Sequence, residues 1–97
     1  MSKRILEEVV SELSAGKKSI RCEELAEQLN RLGFEVREGK SGGHRVFVHD
    51  GLPSFKSGSY NCGHGRNPEI KPAYIKNVLR ILCQYQTEIL EYLGERK

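Results

Sequence analysis

The chain has 97 residues, with 16 lysines and arginines against 13 acids, a net charge of +3 and a hydrophobic share of 37%. That length suits one domain with one modest core, and the composition argues against a disordered tail or a membrane protein. No stretch nears the roughly 20 apolar residues that cross a bilayer, and the acids in MSKRILEEVVSEL argue against a signal peptide, so no membrane contact and a cytoplasmic location are expected.

The elements follow from spacing. Ile5, Leu6, Val9, Val10 and Leu13 recur at helical intervals, which predicts a first helix over residues 3–14 capped by Gly16. Ser19 is the expected start of a second helix, with Cys22, Leu25, Ala26, Leu29 and Leu32 on one face and Gly33 closing it. At Phe34 the period changes from about 3.6 to 2, and FEVRE alternates as a half-buried strand does.

Residues 39–43 form a turn, and residues 44–49 carry the β-branched and aromatic side chains of a second strand. DGLPSFKSG contains two breakers and connects to a weaker third strand over residues 57–62. Pro72 suits the first turn of a helix, where a missing N–H costs nothing. Ile75, Val78, Leu79, Leu82, Ile89, Leu90 and Leu93 then predict one long C-terminal helix. The order is α-α-β-β-β-α, an α+β plan: a three-stranded antiparallel meander with helices packed on one face and the other face open.

Several motifs suggest chemistry and fail on spacing. Gly39-Lys40-Ser41 is no phosphate loop, because the glycine it needs five residues earlier is Phe34 and a strand follows it. Cys62-Gly63-His64 with His44 and His49 matches no usual zinc spacing, and His44 and His49 differ in strand parity. No metal and no cofactor are expected. Cys22, Cys62 and Cys83 are odd in number and widely spaced, the pattern of reduced thiols in a cytosolic chain.

GKSGGHRVFVHD, residues 39–50, remains to be explained. On a strand, His44 and Phe47 point to opposite faces. Phe47 is the natural core residue beside Phe34 and Val36, which leaves His44 on the open face next to flexible glycines. An accessible imidazole exchanges protons near neutral pH, although an inert surface histidine fits the same spacing. Arg37, Lys40, Arg45, Lys56, Arg66, Lys71 and the three histidines make the middle of the chain cationic. That is either a footprint for a phosphate backbone or an ordinary solvated surface.

LAEQLNRLGFEVREGKSGGHRVFVH followed by EIKPAYIKNVLRIL resembles the HicA family of toxins from type II toxin–antitoxin systems. The likeness covers residues 19–90 of a single domain spanning 1–97, with residues 1–18 as an N-terminal helical extension. It implies a double-stranded-RNA-binding-like fold, cleavage of mRNA, and neutralisation by a HicB-like antitoxin protein. By position it implies that His44 is catalytic and Gly42 is the motif glycine. Gly43 stands where the family carries serine, and restoring serine is expected to leave activity equal or higher. His44 would then take the proton of an RNA 2′-hydroxyl. Lys40, Arg45 and Arg66, the backbone N–H groups of Gly42 and Gly43, and His64 would contact RNA. A non-catalytic RNA-binding or protein-docking module of the same fold is the alternative.

Overall fold

The computed structural model describes residues 2–15, 20–39, 42–63 and 65–95. The elements run α1 (Ser2–Ala15), α2 (Cys22–Arg31), β1 (Glu35–Glu38), β2 (His44–Val48), β3 (Gly58–Asn61), α3 (Pro72–Gln84) and α4 (Gln86–Glu95). The strands form one antiparallel sheet in the order β1-β2-β3. This is the expected α+β plan.

Register decides which side chains face the helices. Val36 lies opposite Phe47 on the β1–β2 ladder, and Arg45 lies opposite Tyr60 on the β2–β3 ladder. Phe34, Phe47, Phe55 and Tyr60 are buried there, with Val36 half-buried against them. Phe34 meets Phe47 edge to face at 5.5 Å, and Phe55 completes the cluster. The parity assignment of Phe34, Val36 and Phe47 to the interior holds. The opposite face carries Glu35, Arg37, Val46, Val48, Ser59, Asn61 and His44.

Helices α2 and α3 lie against the strands, while α1 packs on α2, α3 and α4. Leu6, Val9 and Leu13 of α1 belong to the same buried cluster as Leu25, Leu29 and Phe47. So α1, although it lies outside the family resemblance, is part of the core and not an appendage. Burying those three aliphatic side chains is worth about 1.5–3 kcal/mol each.

Three details depart from the sequence expectations. Helix α2 begins at Cys22, so Ser19 is not its cap and, like Gly16, lies outside the described residues. The orphan N–H groups of its first turn are satisfied from elsewhere: Asn67 Oδ1 accepts the Glu23 N–H at 3.0 Å. The Glu24 carboxylate accepts the Arg21 N–H at 3.0 Å.

Second, the C-terminal helix is two helices that meet at Tyr85. The Tyr85 ring packs edge-on against Phe55 at 5.2 Å and its hydroxyl donates to the Ser54 carbonyl at 3.3 Å, so contacts with the β2–β3 connection hold the break.

Third, Cys22 and Cys62 form a disulfide with Cα atoms 5.4 Å apart, and only Cys83 is free. The reading of three reduced thiols is therefore wrong. Residues 67–70 run beside residues 20–22, with Cys22 N–H donating to the Pro68 carbonyl and Ile70 N–H to the Ile20 carbonyl. That pairing brings the start of α2 to the end of β3, where Cys62 sits.

Candidate active site

The His44 end of β2 is assembled from backbone contacts. Gly43 has φ +84°, a conformation that L side chains rarely adopt, and it faces Gly63 so closely that a Cβ would lie 2.5 Å from the Gly63 carbonyl oxygen. The Gly43 carbonyl in turn accepts the Cys62 N–H at 2.6 Å. Two glycines and a disulfide half thus pin the turn before His44 to the chain leaving β3. Gly42, by contrast, is exposed, and a Cβ there would touch nothing.

This reverses one expectation. Serine at position 43 cannot keep this backbone, so restoring the family residue disrupts the turn instead of preserving or improving it. The position demands glycine for two independent reasons, backbone angle and space.

The His44 ring is half-buried and lies over Gly39, where a Cβ would land on the imidazole. The Gly39 N–H donates to the His44 carbonyl at 2.8 Å, so the same residue both pairs with the strand end and leaves room for the ring. On the other side, His44 Nδ1 lies 3.3 Å from Asn61 Oδ1. The Asn61 amide nitrogen donates to the Tyr74 hydroxyl at 3.0 Å. With the amide so oriented, its oxygen accepts from a protonated Nδ1, and Nε2 carries the lone pair. No described residue bonds Nε2.

The other sequence candidates do not all gather here. Arg45 follows the Phe47 parity onto the helix side of the sheet, half-buried beside Tyr60, with Nη1 donating to the His44 carbonyl at 3.2 Å. It is therefore a brace on the strand end on the opposite face from the imidazole, not a partner of it. Arg66 is exposed and has no ion-pair partner among the described residues. Lys40 and His64 lie outside the described residues. Asn61, Tyr74 and Gly39 were missed, because nothing before strand pairing says that Asn61 sits opposite His44.

His49 has no part in the site. It is buried, with Gly51 N–H donating to its Nδ1 at 3.0 Å and Nε2 at 2.9 Å from the Leu32 carbonyl. Cys62, the other half of the rejected zinc reading, is held in the disulfide.

Tyr60 is buried with its hydroxyl unpaired, and that burial pushes its pKa up to about 12, against a weaker pull from Arg45. An apolar groove of about 390 Å³ lies between α1, α3 and α4, lined by Leu6, Val10, Leu79, Leu82 and Leu90. None of its lining residues is a histidine, lysine or arginine, so it offers no rival site for a phosphate.

Charge is unevenly distributed along the chain. Residues 51–87 carry Lys56, Arg66, Lys71, Lys76 and Arg80 against a single acid, Glu69, which pairs with Arg21 at 3.8 Å. That segment contributes β3, which carries Asn61, and α3, which carries Tyr74. Most of the acids lie on α1, α2, β1 and α4. Comparison with family profiles, with curated proteins and with solved structures returned no match for this chain.

Proposed function

We propose that the chain is a HicA-type endoribonuclease that cuts mRNA in the cytoplasm with His44 as general base and is neutralised by a HicB-like antitoxin. One observation carries the reading. His44 is held at the start of β2 with Nδ1 on Asn61 and no described partner on Nε2, two residues after the exposed backbone of Gly42. In this mechanism Nε2 takes the proton of a ribose 2′-hydroxyl. The 2′-oxygen then forms a bond to phosphorus while the bond to the 5′-oxygen breaks, and the proton reaches that leaving oxygen through the imidazolium or through water.

The cationic segment 51–87, with one acid, supports a polyanionic substrate, with Arg66 in no ion pair among the described residues. No acid contacts the imidazole among the described residues, which fits a slow enzyme. The products should carry 2′,3′-cyclic phosphate ends.

The test is cleavage of defined RNA by purified protein beside His44→Ala, followed by induction of both in cells with growth and mRNA integrity monitored. Wild type should cut and arrest growth, and His44→Ala should do neither. RNA binding without cleavage by the wild type would favour the non-catalytic module instead.

A further inference from the structure

We infer that Asn61 is a positioning residue for His44, with Tyr74 as its anchor, and that the pair sets which imidazole nitrogen is free to accept a proton. The inference rests on the proposed role of His44, but its central observable, the imidazole tautomer, does not depend on RNA cleavage.

Residues directly opposite on an antiparallel ladder share a face, and His44 is opposite Asn61 on the β2–β3 ladder. The Asn61 amide can therefore reach the ring from the neighbouring strand, and does so at 3.3 Å to Nδ1. Alone, an exposed asparagine turns freely about its terminal torsion and offers the ring either oxygen or nitrogen. Here the amide nitrogen donates to the Tyr74 hydroxyl at 3.0 Å and the oxygen faces the histidine; the reverse amide, accepting from the hydroxyl and donating to Nδ1, is what an Nε2–H tautomer would report.

Tyr74 is half-buried on the first turn of α3, packed against the core. It thereby links a rigid element to the side chain that fixes the ring. An imidazole whose Nδ1–H is held by an acceptor presents Nε2 as a base, whereas an unrestrained neutral histidine favours the Nε2–H form. Glycine 39 sets the remaining boundary, since its missing Cβ is what lets the ring lie flat over the turn. The charged group nearest the ring on its own strand, Arg45, bonds the His44 carbonyl and not the imidazole.

Nδ1 keeps its proton throughout, Nε2 gains one from the 2′-hydroxyl, and the resulting imidazolium shares its Nδ1–H with the neutral Asn61 oxygen. An asparagine holds the ring without supplying negative charge, so its part is to orient the base.

The experiment is a long-range proton–nitrogen correlation spectrum of the ¹⁵N-labelled full chain at a pH where His44 is neutral. His49 serves as an internal standard, because the Gly51 N–H occupies its Nδ1 and requires the Nε2–H form. His44 should show the opposite pattern, Nδ1–H. Asn61→Ala should return His44 to mostly Nε2–H and lower kcat on RNA roughly tenfold or more with KM unchanged.

Tyr74→Phe should have the same direction and a smaller effect. Asn61→Asp places a carboxylate at the same site, and should move the acid limb of the pH–rate profile upward by roughly one unit. That shift would report only that position 61 faces the imidazole, so the tautomer and the kcat loss in Asn61→Ala carry the test. Nε2–H on His44 in the wild type, or an unchanged tautomer in Asn61→Ala, overturns the inference whether or not RNA is cut. The expected tautomers without any cleavage would uphold the positioning role and remove the nuclease reading.

Discussion

The two ends of β2 are built by different physics. At the His49 end the ring is enclosed by Phe34 at 4.7 Å and Tyr92 at 4.5 Å, with both nitrogens in short hydrogen bonds to backbone. At the His44 end there is no aromatic packing among the described contacts. The ring rests on a glycine, one nitrogen touches an amide, and the backbone is tied by Gly43, Gly63 and a disulfide. The same residue type, five positions apart, is a structural brace at one end and a ring with one nitrogen unbonded among the described residues at the other. Burial by packing uses up the chemistry of a side chain, and tethering the backbone leaves it available.

The sharpest way to break that contrast is to remove each ring in turn. His44→Ala should lose cleavage by a factor of about 10²–10⁴ while stability changes by less than about 1 kcal/mol. His49→Ala should strand the Leu32 carbonyl and the Gly51 N–H and open a cavity, costing about 2–4 kcal/mol. Urea unfolding and an RNA gel on both variants read the two effects, and a reversed pattern would sink the comparison.

Next in size is the covalent tie. The Cys22–Cys62 bridge spans 40 residues, for which the chain-entropy argument gives about 4 kcal/mol. Replacing both cysteines by serine should lower the urea midpoint accordingly. It should also loosen the His44 end before the His49 end, which hydrogen exchange at Cys62 and Gly51 would resolve. Equal protection at both amides would mean that packing alone holds the strand.

Gly43→Ser probes the tether from the turn. A non-glycine residue at that φ costs about 1–3 kcal/mol, and the 2.5 Å approach to the Gly63 carbonyl adds to it. Reduced stability together with reduced cleavage is expected. Full activity with serine would show that the turn relaxes easily and that Gly63 is not a fixed wall.

What was legible beforehand follows the same division. The period switch at Phe34, the parity of His44 against Phe47 and the proline at the start of α3 all read correctly, because packing leaves a periodic trace in the sequence. Parity also assigns Arg45 to the Phe47 face, where the register places it opposite Tyr60. The tethers leave no such trace. Cys22 and Cys62 are far apart in sequence, and Asn61, Tyr74 and the Asn67 cap act only once strands and helices are in register. The break at Tyr85 has no proline or glycine to announce it, since contacts with Phe55 and Ser54 hold it.

Tyr60 tests how tightly the helix face is closed near the site. Its hydroxyl is buried without a partner, so Tyr60→Phe should be stabilising by about 1 kcal/mol. The sign of the pH effect follows from the raised folded value, about 12 against an ordinary 10.0. A group raised in the fold contributes fully below the unfolded value and loses that contribution as pH climbs to the folded one. Wild-type stability should therefore fall relative to Tyr60→Phe between about pH 10 and pH 12, and an ultraviolet titration should show a late-ionising tyrosine that the variant lacks. A destabilised Tyr60→Phe would mean that the hydroxyl has a bound water as partner.

The smallest expected effect lies in the packed half, away from both ends of β2. Glu8 of α1 accepts Arg31 Nη2 at 2.6 Å and Arg4 Nε at 3.2 Å, joining α1 to α2 across the surface. The hydrogen bond from Arg31 is the main reason that the Glu8 carboxyl sits below its ordinary value of 4.5. A depressed carboxylate contributes stability above the unfolded value and loses it as pH falls through the folded one. The difference between wild type and Glu8→Gln should thus be present near pH 7, shrink below about pH 4.5 and fade with added salt. Leu6, Val9 and Leu13 should keep α1 docked in either case, because their burial does not depend on the ion pair. If Glu8→Gln instead releases α1 at neutral pH, electrostatics rather than packing seats that helix, and the contrast between a packed half and a tethered end no longer describes the molecule.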